Sequence, residues 1–323
     1  MKKYDVVALG EILIDFTYSG TNADGKKIYE ENPGGAPANC VCAAVKLGGK
    51  GAFIGMTGHD SFGEDCRAIL NELHVDTSGM RYTDAQHTTL AFVSLAPNGE
   101  RTFSFCRNPG ADTQIKPSDL DKDMLDQARI LHIGSLSLTD EPAKSTTLSA
   151  IETVKKAGGL ISYDPNYRAN LWHDREDAIP LMKSIFPMAD SVKVSEEELA
   201  LLFGKDISYE DGAQQILSLG PSLVLITLGA KGVYYATKKG FCGQLSVPKV
   251  KVADTTGAGD SFNGGLLYRL TRREKPLDFT KEEIEKDIAF ANAVASLCVT
   301  KRGAIPALPT LAETQAFMTE HRM

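Results

Sequence analysis

What most limits the fold of this chain is a repeated alternation of short apolar runs with longer amphipathic ones. Residues 4–10 read as a buried strand closed by glycine, and 129–133, 160–163, 190–194 and 222–227 read the same way. Helical stretches lie near 36–47, 141–157, 175–186, 196–203 and 208–218, and further helices near 258–271, 281–299 and 310–320 finish the chain. Strands that alternate with helices pair in parallel, because a parallel neighbour needs a long crossover. The expected fold class is therefore α/β: a mainly parallel central sheet with helices on both faces. At 323 residues, 42% of them apolar, the chain could form two domains or one large α/β unit with an appendage.

Two strand-like runs, 88–95 and 101–106, interrupt the alternation. Their joint, Ala96-Pro97-Asn98-Gly99-Glu100, carries an Asn-Gly hairpin signal. Residues 12–18 alternate like a further strand, whereas 20–35 is polar and glycine-bearing and reads as a loop with at most short strands. Residues 233–237 and 241–247 add antiparallel pieces. The expected organisation is one α/β domain over 1–323, with a small β-sheet lid built from segments at about 12–33 and 88–110.

Charge and composition exclude several function classes. Lys and Arg total 35 against 42 Asp and Glu, a net charge of −7, which argues against bulk nucleic-acid or acidic-membrane binding. No apolar run approaches the ~18–20 residues of a spanning helix. The apolar stretch Val6-Val7-Ala8-Leu9 is too short for a signal peptide and is ended by Gly10 and Glu11. The 6 cysteines are scattered without a Cys-x-x-Cys pair, so reduced thiols and a cytoplasmic location are expected. The 6 histidines form no close pair in sequence that would suggest a metal site or triad.

The most informative stretch is Asp254-Thr255-Thr256-Gly257-Ala258-Gly259-Asp260-Ser261-Phe262. It follows a strand-like region and opens a helix. Gly257 and Gly259 let successive N–H groups converge at a helix N-terminus, an arrangement suited to phosphate. Asp260, in the first turn, is placed to take a proton from a substrate hydroxyl. Anion cradle and adjacent carboxylate together are what phosphoryl transfer to an alcohol requires. Taken alone, a Gly-x-Gly more often merely turns the chain, with Asp260 complementing the helix dipole. The stretch lacks the Gly-Lys-Ser/Thr of a Walker A loop, and the first strand ends without a dinucleotide fingerprint.

The whole string Asp-Thr-x-Gly-Ala-Gly-Asp-x-Phe resembles the C-terminal signature of the ribokinase-like (PfkB) carbohydrate kinases. Gly34-Gly35-Ala36-Pro37-Ala38-Asn39 resembles that family's sugar-binding turn, Gly55, Gly58, Asp60 and Gly63 its first signature, and Thr227-Leu228-Gly229-Ala230-Lys231-Gly232 its nucleotide-binding strand end. The motifs keep the family's order over nearly the whole chain. Arg107-Asn108-Pro109-Gly110-Ala111-Asp112 and Asp164-Pro165-Asn166-Tyr167-Arg168 are similar to elements of bacterial fructokinases.

This resemblance implies an ATP-dependent kinase acting on the primary hydroxyl of fructose to give fructose 6-phosphate. It implies Asp260 as general base and the amides of Gly257, Ala258 and Gly259 as an anion hole. Asp15, Gly34, Gly35, Asn39, Phe103, Arg107 and Arg168 are the implied sugar residues; Thr227, Gly229, Gly232 and Asn292 are the implied nucleotide residues. Glu198, within Ser195-Glu196-Glu197-Glu198, would organise Mg²⁺ through water. In members that bind a monovalent cation such as K⁺, Asp254, Thr256 and Gly303 match its site, while Ala307 stands where ribokinases often carry Ser. Partners are then the sugar and ATP, with neither nucleic acid nor membrane, and a homodimer through the lid is open to such a fold. The runner-up readings are a 2-keto-3-deoxygluconate kinase, then a ribokinase, disfavoured by Leu13 where ribokinases usually have a polar residue, and a non-catalytic sugar sensor.

Overall fold

In a computed structural model of the chain, residues 2–95 and 101–323 are described; the Asn98-Gly99 joint and the side chain of Phe103 lie outside the described residues. The alternation read from the sequence becomes β1 (Tyr4–Leu9), α1 (Ala36–Lys46), β4 (Gly51–Gly58), α2 (Ser61–Glu72) and β5 (Met80–Thr83), with β2 (Leu13–Thr21) and β3 (Lys27–Gly34) inserted after β1. The hairpin follows as β6 (Leu90–Leu95) and β7 (Arg101–Cys106). Then come α3 (Lys122–Asp126), β8 (Ala128–Ile133), α4 (Ala143–Lys156), β9 (Leu160–Tyr163), α5 (Arg175–Ile185), β10 (Ser191–Ser195), α6 (Glu196–Phe203) and α7 (Tyr209–Ser218). The chain finishes with β11 (Leu223–Thr227), β12 (Val233–Thr237), β13 (Cys242–Leu245), α8 (Ala258–Leu270), α9 (Lys281–Cys298) and α10 (Leu311–His321).

These elements form a 9-stranded sheet ordered β13-β12-β11-β10-β9-β8-β1-β4-β5, and a 4-stranded lid sheet ordered β3-β2-β6-β7. Pairing from β5 through β11 is parallel, and β12 and β13 turn back antiparallel. Because successive strand residues point to opposite faces, β1 feeds two cores. Val7 and Leu9 pack with residues of α4, α5, α6 and α7, while Val6 and Ala8 pack with residues of α1, α8 and α9. The parallel strands are mainly apolar because both faces are covered, with Lys193 of β10 and His132 of β8 among the buried exceptions.

The lid sheet corrects one expectation. Residues 27–34 are a strand, β3, paired antiparallel with β2 across a register shift at Tyr18/Gly20. Its polar residues look like a loop because an outer strand exposed to water needs no apolar face; pairing with β2 supplies what the pattern lacks. Apolar packing across the lid comes from Phe16, stacked on Phe92 at 5.2 Å and edge-on to Phe62 at 5.7 Å.

Close helix approach positions the glycine-rich turn. A Cβ on Gly264 would overlap the Cys40 carbonyl of α1, and one on Gly265 would stand 3.0 Å from Val294 of α9. The neighbour of Gly264 is backbone, so it cannot rotate away. Gly264→Val is expected to lower the thermal midpoint by about 2–5 °C, the effect of overpacking by roughly 1–3 kcal/mol in a chain this size. Thermal unfolding followed by circular dichroism tests this; an unchanged midpoint would mean that α1 and α8 separate without cost.

Candidate active site

The direction of strand addition switches beside β1, whose neighbours are β8 and β4. At such a switch the loops leave in opposite directions, and a crevice opens beyond the carboxyl ends of the strands. A cleft of about 530 Å³ lies there. Its wall includes Glu11 after β1, Asn166 after β9, Glu198 after β10, Thr227 and Gly229 at β11, and the turn at 255–260 that opens α8. Asp15 and Phe105 reach the cleft from the lid sheet.

The turn is built as an amide cradle. Gly257 is the N-cap of α8, sits at φ 74° in the left-handed region and has no side chain to cap the helix. Gly257, Ala258 and Gly259 all line the cleft, so the uncapped start of α8 faces it; the Ala258 N–H also leans to the Thr255 carbonyl at 3.3 Å. Gly259 has a second reason to be glycine, since a Cβ there would stand 2.8 Å from Lys193 Nζ. Beside the turn, Asp254 accepts the Thr256 N–H at 2.7 Å and the Gly303 N–H at 3.2 Å. The three residues expected at a monovalent-cation site are therefore brought together.

Asp260 is buried between two amides. Asn39 donates to Oδ2 at 2.8 Å and Asn166 to Oδ1 at 3.1 Å. Burial raises its pKa above the ordinary aspartate value and Asp164 adds to the rise, while the Asn39 hydrogen bond, Lys193 and Arg168 oppose it. Lys193 on β10 donates to Asp164 at 2.9 Å with both side chains buried. Burial pushes the ammonium down, but the carboxylates of Asp164, Glu198 and Asp260 outweigh that and hold it at about 12. Glu198 accepts the Ser195 N–H and the Tyr167 N–H, each at 2.7 Å, and closes a capping box on α6. Burial raises Glu198 as well, with Asp164 adding to the rise.

The sugar-side glycines are explained by close approach. A Cβ on Gly34 would stand 2.8 Å from Asp15 Oδ2, and Gly35 at φ 115° passes so near β1 that a Cβ would stand 2.5 Å from the Glu11 carbonyl. Arg168 is exposed and lines the cleft. Arg107 does not line it. Its guanidinium is buried, bonds Asp112 through Nε at 2.8 Å, and reaches Thr139 at 3.0 Å and the Leu136 carbonyl at 2.9 Å. Gly232 and Asn292 are also away from the cleft wall: Gly232, at φ 99°, ends the turn before β12, and the Asn292 amide reaches the Ser246 carbonyl at 3.5 Å.

Sequence reading overlooked Lys193, Asp164, Asn166 and Glu11 as site residues. Lys193 carries the clearest signal, a charge inside the buried run Val192-Lys193-Val194, where burial demands a partner. Asn166 sits at φ 44°, a conformation unusual for a side-chain-bearing residue and one that turns its amide toward Asp260.

The profile of the pfkB family carbohydrate kinases matches residues 3–311. The chain belongs to this family. It is 44% identical over 315 residues to probable fructokinase-5 of Arabidopsis thaliana, covering 97% of each chain. Among solved structures, this pfkB kinase superposes on a fructokinase with bound ATP from Xylella fastidiosa with a TM-score of 0.92, at 33% identity over 99% of this chain and 100% of that one. It superposes on a fructokinase double mutant from Vibrio cholerae O395 in fructose, ADP and potassium ion bound form with a TM-score of 0.89, at 35% identity over 98% and 99%. Among the described residues of this pfkB kinase, no helix is long and apolar enough to cross a membrane.

The buried Lys193–Asp164 pair gives a stability test. Lys193→Met leaves Asp164 without its ammonium and is expected to cost about 3–5 kcal/mol in denaturant unfolding. Adding Asp164→Asn to it should recover part of that loss. An additive double variant would mean that the two groups do not depend on each other.

Proposed function

We propose that this kinase transfers the γ-phosphoryl group of ATP to a primary hydroxyl of fructose, giving fructose 6-phosphate and ADP. The observation that carries the reading is the two-sided cleft. One side presents hydrogen-bond acceptors, Glu11, Asp15 and the Asn39 carbonyl oxygen; the other presents the start of α8, with Asp260 in its first turn, and the Lys193 ammonium. A neutral polyol supplies donors to the first side and a phosphate supplies charge to the second. The comparisons lend weight here, since the relatives reported above are fructokinases along their full length.

In the proposed step Asp260 takes the proton of the sugar hydroxyl while that oxygen bonds the γ-phosphorus and the bond from phosphorus to the bridging oxygen of ADP breaks. The Asn39 and Asn166 amides hold the carboxylate in place, so little reorganisation is left to the reaction itself. The amides of Gly257, Ala258 and Gly259 and the Lys193 ammonium stabilise charge on the transferring group. Mg²⁺ travelling with the nucleotide neutralises phosphate charge when bound. The donor set fits an ion that takes its other ligands from phosphate and water: Glu198 spends one backbone hydrogen bond on each oxygen, and no group of three His, Cys, Asp or Glu side chains placed to hold a metal ion gathers among the described residues. Thr227 and Gly229 lie along the nucleotide end, with Gly232 and Asn292 behind the wall. Asp254, Thr256 and Gly303 would hold K⁺ beside the cradle. The reading also carries closure of the lid over the sugar, a cytoplasmic location, and a homodimer in which outer lid strands pair.

An acidic sugar fits less well. The carboxylate of 2-keto-3-deoxygluconate would meet the Glu11 and Asp15 side, and Arg107 is taken by Asp112, which leaves Arg168 on the cleft wall as the arginine open to an acidic substrate. Leu13 on the cleft wall weighs against ribose, and a cleft that keeps Asp260, the glycine pair and Glu198 weighs against a sensor without catalysis.

A coupled assay with ATP and fructose, 2-keto-3-deoxygluconate, ribose and adenosine in parallel should show phosphorylation of fructose with the highest kcat/KM; no turnover with any of them would favour the sensor. Asp260→Asn is expected to keep the fold and fructose affinity and to lose about 10²–10⁴ in kcat. Protonated Asp260 cannot accept a proton, and its pKa is raised, so the acid-side fall of wild-type kcat/KM should begin at a higher pH than for an exposed aspartate. Near-normal turnover of the variant would overturn the base assignment. Replacing K⁺ by tetramethylammonium should lower turnover; an unchanged rate would reject the cation site.

A further inference from the structure

Glu11 has one carboxylate oxygen that the fold explains and one that it does not. Oε1 accepts the N–H of Ala36, the first residue of α1, at 3.2 Å, and so caps a helix whose own N-cap, Gly35, has no side chain for the task. Oε2 is buried and has no hydrogen-bond partner among the described residues. The residue is only 4% exposed, yet it lines the cleft next to Asp15, Gly35 and Asn39. Asn39 repeats the pattern on the same wall, with Nδ2 committed to Asp260 and Oδ1 buried without a partner. Buried polar atoms are satisfied as a rule, so two orphaned acceptors on residues that line one cleft call for a ligand that brings donors.

The surroundings do not relieve the carboxyl. Arg107 lies behind it but is committed to Asp112. Burial pushes Glu11 up to about 7; its own backbone N–H opposes this, Asp112 adds to the rise, and Arg107 and the Ala36 N–H oppose it. A helix cap alone could be supplied by a smaller neutral residue, which leaves the buried carboxyl unexplained.

We propose that Glu11 is a specificity-determining residue for the sugar, its Oε2 pairing with one hydroxyl other than the one phosphorylated. This rests on the fructokinase reading and identifies a side chain that reads the acceptor sugar. Removing one partner from a buried polar contact leaves the other unpaired, and so discriminates strongly against a sugar that lacks the hydroxyl.

The test is a cycle between protein and substrate. Fructose and its monodeoxy analogues are compared on the wild-type chain, Glu11→Ala and Glu11→Gln, by calorimetric binding and by turnover. Glu11→Ala should raise the Kd and KM for fructose about 10- to 150-fold, the equivalent of about 1.5–3 kcal/mol for a hydrogen bond to a charged group. The KM for ATP should move far less. One deoxy analogue that binds the wild-type chain weakly should lose almost nothing further in Glu11→Ala, whereas the other analogues lose the full factor. Glu11→Gln keeps the shape and an acceptor for Ala36, so it should hold its thermal midpoint and show a smaller rise of the same sign. Fructose affinity within about twofold in both variants, or equal losses for every analogue, would reduce Glu11 to a helix cap and overturn the proposal. Wild-type protein that binds fructose without phosphorylating it would overturn the kinase reading and leave this one standing; wild-type protein that does neither would overturn both.

Discussion

The site is organised around one buried ammonium. Lys193 sits on a central strand among Asp164, Glu198 and Asp260, and each of these carboxylates would be costly to bury without it. The elements that bring the carboxylates in are far apart in sequence: the segment after β9, the first turn of α6 and the first turn of α8. Their convergence on one cation ties the carboxyl ends of β9 and β10 to the helix that carries the glycine turn. It also explains Gly259, where any side chain would collide with the lysine.

That cluster resolves the tension between a chain of net charge −7 and a polyanionic co-substrate. Phosphate on the proposed reading is met by helix-start amides and a single ammonium, which need no basic surface. The opposite wall is rich in acceptors and suits a neutral polyol. Polarity is thus divided within one cleft, and the lid sheet, whose Leu13 and Ile14 are buried next to Asp15, borders the acceptor side.

How much of this could be read in advance depended on the range of the interaction. The α/β alternation, the glycine turn at 257–259 and the helix behind it are local patterns, and they are legible because strand periodicity, glycine conformation and helix starts are set by neighbours in sequence. β3 was not legible, because an outer strand has no apolar face and exists through its pairing with β2. Arg107 stood in a suggestive string, but a guanidinium suits a carboxylate as well as a sugar, and Asp112, five residues on, takes it. The strand Val192-Lys193-Val194 announced a buried charge without announcing its partners.

The residues alone thus settle the kind of sheet and the place of the glycine turn that opens α8 with a carboxylate in its first turn, since these follow from periodicity and backbone conformation over a few residues. Tertiary structure decides which polar groups meet: Asn39 and Asn166 on Asp260, Asp164 on Lys193, Asp112 on Arg107, and the unpaired oxygen of Glu11 at the cleft. The physical reason is that burial makes an unpaired polar group expensive but does not say who the partner is. Only the packing of distant elements assigns it.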